Sequence, residues 1–248
     1  MISKVECLIY KIGEITFVHR LTKGKIRPKI SKFALNFYST WVKVDGGFRI
    51  KTDATDSLGL RRNRIYEPHL RNLIAELLTK DDIAVDLGAN IGYHTLLMAV
   101  KSKKVYAFEP EPSNYMILME NLKNNNITNV EVIKKAATNK NGIVRLNLCQ
   151  ENLGSHSIVW VKSTNFVEVE GVRLDEVLPN KTIKMMKIDI EGAECLALDG
   201  LGDRIYDIYN IIFEYHSGKS NPKIFEFLSS KGFKVRKLAE NDYWAKRT

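Results

Sequence analysis

A chain of 248 residues, 44% of them hydrophobic, is one generous domain or a domain with an N-terminal extension, and it can bury a full core. No apolar run reaches membrane-spanning length and the N-terminus carries no signal-peptide pattern, so a soluble, cytoplasmic protein with no transmembrane segment is expected. Cys7, Cys149 and Cys195 form no CxxC pair, which argues against a zinc site or a disulfide framework, while the formal charge of +9 favours anionic partners.

Residues 1–40 carry no clear pattern; Leu8-Ile9-Tyr10 and Phe33-Ala34-Leu35 suit strand or helix. Arg20, Lys23, Lys25, Arg27, Lys29 and Lys32 crowd one acid-free stretch, and Arg61, Arg62 and Arg64 form a second cluster. The stretch at 20–32 is a candidate contact for an anionic polymer or membrane surface; nucleic acid is not favoured, because no aromatic–basic interleaving accompanies it. Residues 41–52 alternate around Gly46-Gly47, as in a β-hairpin, and a helix is expected from Ile65 to Thr79 with Pro68 in its first turn.

From Asp82 the rhythm becomes strand–helix–strand. Ile83–Leu87 and Val105–Phe108 are apolar strands leading into a helix at 93–100 and an acid at Glu109, respectively. Ser113 is placed to cap a helix running to Lys123, and Val130–Ile133 is a third strand. Such βαβ units imply a parallel sheet with helices on both faces. Segments 143–148, 158–161 and 166–172 look like a β meander beside it. The α/β pattern returns with a strand at 183–190, a helix at 193–198, a strand at 209–215 and a helix at 222–231. Strands at 233–238 and 242–245 then suit an antiparallel edge hairpin. The fold class expected is α/β, a Rossmann-like sheet, mostly parallel with an antiparallel edge strand and helices on both faces, with residues 1–64 as an extension containing a hairpin and residues 65–248 as the Rossmann-like domain.

Asp86-Leu87-Gly88-Ala89-Asn90-Ile91-Gly92 joins the first strand of this block to its first helix. Glycines there allow a tight turn and close approach of a ligand to the backbone. A nicotinamide fingerprint would need a glycine where Asn90 stands, and Asp86 would repel a diphosphate. S-adenosylmethionine carries an amino-acid end and a sulfonium in place of phosphate, so acidic walls suit it, and Glu109 has the spacing of a ribose-binding acid. Asp86, Gly88, Asn90, Gly92 and Glu109 are the candidate donor-binding residues, joined by Asp189.

The block resembles the FkbM-type methyltransferases. The matching segments are Val85–Tyr93, Phe108-Glu109-Pro110, Gly154–Ser157, Leu174-Asp175-Glu176, Lys187–Glu194, Phe213–His216 and Tyr66-Glu67-Pro68, spanning about residues 60–235. The resemblance implies a class I sheet with a reversed final strand, S-adenosylmethionine as donor, and most often a hydroxyl acceptor on a sugar or secondary metabolite. Fold-level likeness leaves the acceptor open.

A hydroxyl nucleophile must lose its proton, which calls for a base or a metal. Asp189 and Glu191 follow one strand; Glu214 and His216 end the next. Their i, i+2 spacing points each pair to one side while the chain stays extended. Asp189 is expected nearest the methyl, with His216 or Glu191 as base; a divalent metal held by the four groups is the alternative use. Glu194 is expected to anchor Lys187 or cap backbone. His94 lines the donor pocket or packs, Ser155 and Ser157 cover the donor or meet the acceptor, and Tyr66 and Glu67 face the acceptor. Carbohydrate, glycan or glycan-linked O-methylation is the leading function. RNA or protein methylation through the basic N-terminus, a non-catalytic S-adenosylmethionine-binding protein and a nicotinamide oxidoreductase are the alternatives.

Overall fold

A computed structural model describes residues 40–149, 156–159, 164–218 and 220–248. The basic stretch 20–32, Cys7, the apolar segments before residue 40, and Gly154 and Ser155 lie outside the described residues.

The centre is a seven-stranded sheet. Its strands are β3 (Ile83–Leu87), β4 (Lys104–Phe108), β5 (Val130–Ile133), β9 (Ile183–Ile188), β10 (Ile208–Glu214), β11 (Phe233–Lys237) and β12 (Asp242–Arg247). Their order is β11-β12-β10-β9-β3-β4-β5. The run from β10 to β5 is parallel, while β12 is antiparallel to both β10 and β11. The reversed strand therefore sits one place inside the edge, and β11 is outermost. Strands β3 and β9 read as nearly unbroken apolar runs because helices cover both their faces. Helices α2 (Pro68–Leu77), α3 (Tyr93–Ala99) and α4 (Pro112–Asn124) contribute Leu70, Leu96 and Leu118 to the core on one face. Helices α6 (Glu194–Asp199) and α7 (Lys223–Ser230) contribute Leu198 and Leu228 on the other.

The chain order β3-α3-β4-α4-β5 follows the sequence rhythm, with differences at the helix starts. Helix α4 begins at Pro112, whose missing N–H and fixed φ suit the first helical position. Glu111, not Ser113, is its cap, accepting the Asn114 N–H at 2.6 Å. The helix expected from residue 65 begins at Pro68, because the residue before a proline is kept out of the helical region and Glu67 adopts φ +44°. A separate short helix, α1 (Leu60–Asn63), precedes it.

The hairpin exists as β1 (Trp41–Lys43) and β2 (Arg49–Lys51), and Gly46 and Gly47 take the positive φ its turn requires. Asn121, fully buried on α4, accepts the Lys51 N–H at 2.7 Å and donates to Ile91 O at 2.8 Å, tying hairpin, helix and the turn after β3 together. Ile50 and Leu60 are fully buried in the same core as Leu96. At about 1.5–3 kcal/mol for each such side chain, the hairpin and α1 are firmly bound to the sheet.

The meander is a three-stranded sheet of order β6-β8-β7, made of β6 (Ala136–Thr138), β7 (Gly142–Asn147) and β8 (Phe166–Arg173). The strand expected at 158–161 is not formed at Ile158 and Val159, and its other two residues lie outside the described ones. Only Ser157 pairs, in an isolated bridge to Asn147. Among the described residues the remaining short helices are α5 (Leu174–Val177) and a 3-10 turn at Gly202–Asp207. Among the described residues no helix is long and apolar enough to cross a membrane.

Candidate active site

At the carboxyl end of β3 the chain turns through Gly88 (φ +78°), and both Gly88 and Ala89 donate to Phe108 O at 3.0 Å. A Cβ on Gly88 would lie 1.9 Å from Asp189 O, so glycine alone lets the ends of β3 and β9 abut. Asn90 follows with φ +51° and a buried side-chain oxygen lacking a hydrogen-bond partner. Its N–H donates to Glu109 at 2.7 Å, and the Glu111 N–H donates to the other Glu109 oxygen at 2.9 Å. Burial pushes the Glu109 carboxyl up to about 8, although those two N–H groups pull it down.

Gly88, Asn90, Glu109, Asp189 and Glu191 line one cleft of about 630 Å³ of empty volume, with Phe108, Leu146 and Ile158 as apolar wall. Asp86 and Gly92 do not line it. Asp86 is fully buried beneath the loop, accepts from Thr95 Oγ1 at 2.6 Å and lies 3.9 Å from Lys187 Nζ. Gly92 caps α3 at φ +92°, close against Leu118.

Lys187 is 4% exposed, and its Nζ lies 2.9 Å from Asp189. Burial disfavours its charge, but Asp189, Asp86 and Glu67 together raise its pKa. Burial likewise works against the Asp189 charge, yet Lys187 overrides it and holds that carboxyl below its ordinary value. Asp189 also lines a second, narrower crevice of about 180 Å³ with Glu67, Lys187, Glu214 and Asp242. It thus stands at the border of two spaces. Burial and then the Asp189 charge push the hydrogen-bonded Glu214 up to about 9, and His216 Nε2 lies 3.1 Å from Glu214 Oε1.

The extended spacing expected at residues 189–191 is broken: Glu191 takes φ +51° and Gly192 φ +94°, so the chain turns there. Glu191 faces the larger cleft and reaches Glu214 through its charge. Its carbonyl accepts Ser157 Oγ at 2.6 Å. Glu194 caps backbone, accepting the Gly192 N–H at 2.8 Å. His94 is buried 3.5 Å from Glu67 and against the Tyr66 and Tyr93 rings, outside the larger cleft. Burial, reinforced by Lys187, holds its imidazole well below the ordinary value. Among the described residues no three His, Cys, Asp or Glu groups are arranged to hold a metal ion.

Three further residues belong to the crevice region. Lys187 is legible as a lone lysine in an apolar strand. His69 and Asp242, paired at 2.5 Å, leave no signal, since 173 residues separate them. His156, on the cleft wall, stands in the motif as only the neighbour of two serines.

Residues 86–235 match the methyltransferase FkbM domain family. The chain belongs to that family. This FkbM methyltransferase is 28% identical over 192 residues to Methyltransferase 1 of Beauveria bassiana, covering 66% of this chain and 76% of that one. It is 26% identical over 182 residues to the hexuronic acid methyltransferase AglP of Haloferax volcanii, covering 73% and 75%. The crystal structure of Methyltransferase FkbM from Methylobacillus flagellatus shares the fold, with a TM-score of 0.50 at 15% identity over 67% of this chain and 44% of that one.

The enzyme is thus an S-adenosylmethionine-dependent methyltransferase, and the nicotinamide and non-catalytic readings fall away. The residues present fit the donor. The cleft has apolar walls, a buried carboxyl at the β4 end, an unpartnered Asn90 oxygen and a further carboxylate at Asp189.

Proposed function

We propose that this FkbM methyltransferase O-methylates a hydroxyl of a carbohydrate, glycan or glycan-linked metabolite. The observation that carries the reading is the position of Asp189, shared by the donor cleft and the acid-lined crevice. Asn90, Glu109 and Asp189 would hold the donor, which supplies an electrophilic methyl on a sulfonium when bound. The crevice is too narrow to admit an acceptor, which would instead lie over its mouth at the partly exposed Asp189 and Glu214, carboxyl groups suited to hydroxyl hydrogens. The relative named as a hexuronic acid methyltransferase is in keeping with a sugar acceptor.

Lys187 keeps Asp189 ionised, so that Asp189 accepts a hydrogen bond from the acceptor hydroxyl and aligns its oxygen. Glu214 holds a proton against Asp189 and orients His216. His216 takes the hydroxyl proton and, being partly exposed, passes it to solvent. Glu191, on the cleft side of the same cluster, is the second candidate base.

The test is transfer of labelled methyl from S-adenosylmethionine to a panel of neutral sugars, uronic acids, sugar nucleotides and RNA, with the methylated atom located by NMR. Methyl ethers on sugar hydroxyls are expected. Methyl esters alone, or transfer to RNA alone with steep salt dependence, would overturn the reading.

A further inference from the structure

The three-stranded β6-β8-β7 sheet lends Ala136, Ala137 and Leu146 to the cleft wall, and a bridge from the end of β7 holds one further side chain there. Asn147, at the end of β7, exchanges backbone hydrogen bonds with Ser157 at 2.9 and 3.1 Å, and its side chain adds a third to Ser157 O at 3.2 Å. Ser157 is fully buried, and its hydroxyl reaches across to Glu191 O. These bonds fix the residue before it, His156, as a rigid part of the cleft wall beside Leu146 and Ile158.

The imidazole tautomer follows from its one hydrogen bond. The Cys149 backbone N–H lies 3.1 Å from His156 Nδ1, so Nδ1 is an acceptor and the ring proton sits on Nε2. Burial holds the imidazole down at about 4, with Asp53 the one charge opposing, so the ring is neutral around pH 7. No described residue bonds to Nε2. A neutral ring with an unused N–H donor therefore stands in a cleft whose lining includes Phe108, Ala137, Leu146 and Ile158.

We infer that His156 is a donor-binding residue, whose Nε2–H hydrogen-bonds a purine nitrogen of the adenosyl group. The inference rests on the donor occupying this cleft. Apolar wall supplied by Phe108, Leu146 and Ile158 suits a purine ring, which presents nitrogen acceptors at its edge. A fixed Nε2–H selects an acceptor atom there, and the ring is kept neutral because protonation would place a hydrogen on Nδ1 against the Cys149 N–H.

The test uses S-adenosylhomocysteine and its 1-deaza, 3-deaza and 7-deaza forms, each with one ring nitrogen replaced by C–H, titrated by calorimetry. His156→Phe removes the donor, and His156→Gln keeps an N–H at the Nε2 position. We expect His156→Phe to bind S-adenosylhomocysteine about five- to tenfold more weakly, with His156→Gln recovering most of the affinity. One deaza form is expected to bind the unmodified enzyme more weakly by a similar factor, and His156→Phe no more weakly than its parent ligand. A purely structural role would weaken both variants alike and all ligands equally, which overturns the inference, as does unchanged affinity in His156→Phe. Should His156→Phe fail to fold, 15N-histidine spectra of the unmodified enzyme decide: the His156 Nε2–H resonance shifts on ligand addition, or the inference fails. Binding that Glu109→Ala leaves untouched would instead show that the donor lies elsewhere.

Discussion

Replacing Lys187 by Met keeps most of the buried stem and removes the charge. Asp86, fully buried, and Asp189, 2.9 Å away, then lose their counter-charge. Removing one partner of a buried pair costs about 3–5 kcal/mol. The lower end applies here, because burial already pushes the Asp86 carboxyl towards protonation and Asp189 can share a proton with Glu214. At roughly 2–4 °C per kcal/mol for a domain of this size, a cost of about 3 kcal/mol lowers the melting midpoint by roughly 6–12 °C near pH 7.5. The loss has a pH signature. Asp189 titrates below its ordinary 3.8, so its stabilising pair is intact above that value and disappears as pH falls through it. In the variant the orphaned carboxylates neutralise themselves in acid. The difference between the two proteins therefore narrows towards pH 4. On the alkaline side it persists past pH 10, because the Lys187 ammonium titrates above its ordinary 10.5. Calorimetric melts at pH 4.5, 7.5 and 9 measure it. A midpoint change under roughly 2 °C at pH 7.5, or an equal change at pH 4.5, would refute the assignment of Lys187 as counter-charge to this cluster.

Glu109→Ala should weaken S-adenosylmethionine binding about tenfold or more by calorimetry, with NAD showing no saturable binding to either protein; undiminished affinity would remove Glu109 from the donor site. Asp189→Ala should abolish most turnover on the accepted sugar while circular dichroism shows a retained fold, and His216→Ala should depress kcat more than KM; unchanged turnover in both would displace the proposed chemistry from the β9–β10 ends. Burial raises the carboxyls of Glu67 and Glu194 to about 7, Glu109 to about 8 and Glu214 to about 9, all above an ordinary 4.5. The folded state thus holds protons that the unfolded chain releases, so stability present at pH 4.5 is lost as pH rises towards 9, by up to about 1.4 kcal/mol per pH unit per group. Glu109→Gln should flatten that slope in melts between pH 5 and 9, and an unchanged slope counts against it. Gly88→Ala and Gly47→Ala share a positive φ, but only the first places a Cβ 1.9 Å from backbone, while the second meets nothing within 4 Å. Gly47→Ala should cost about 1 kcal/mol, and Gly88→Ala about 3 kcal/mol or more, or soluble expression altogether; equal costs would contradict the close approach of β3 and β9.

The parallel block was legible because β3, β4 and β9 are covered on both faces and so carry unbroken apolar runs, punctuated by glycine turns and strand-end acids. The Asp86–Gly92 turn was legible for the same local reason. Gly88 and Asn90 must take left-handed backbone within a few residues of a strand, and Glu109 closes the next one. Two adjustments were local as well: Pro68 and Pro112, as first helical residues, set the starts of α2 and α4, with Glu67 and Glu111 at the cap positions.

What the amino-acid sequence determined by itself is therefore the βαβ order, the Asp86–Gly92 turn and the family, since each depends on side chains within one turn or one strand of each other. Tertiary structure alone decided that Asp86 lies beneath the Gly88–Asn90 turn and Asp189 between two spaces. It also turned the chain at Glu191, paired His69 with Asp242 across 173 residues and set His156 in the cleft wall through the Asn147–Ser157 bridge. Those placements follow from strand order, which brings β9, β10 and the reversed β12 side by side. Local periodicity records that a strand is buried, and says nothing of which strand lies next to it.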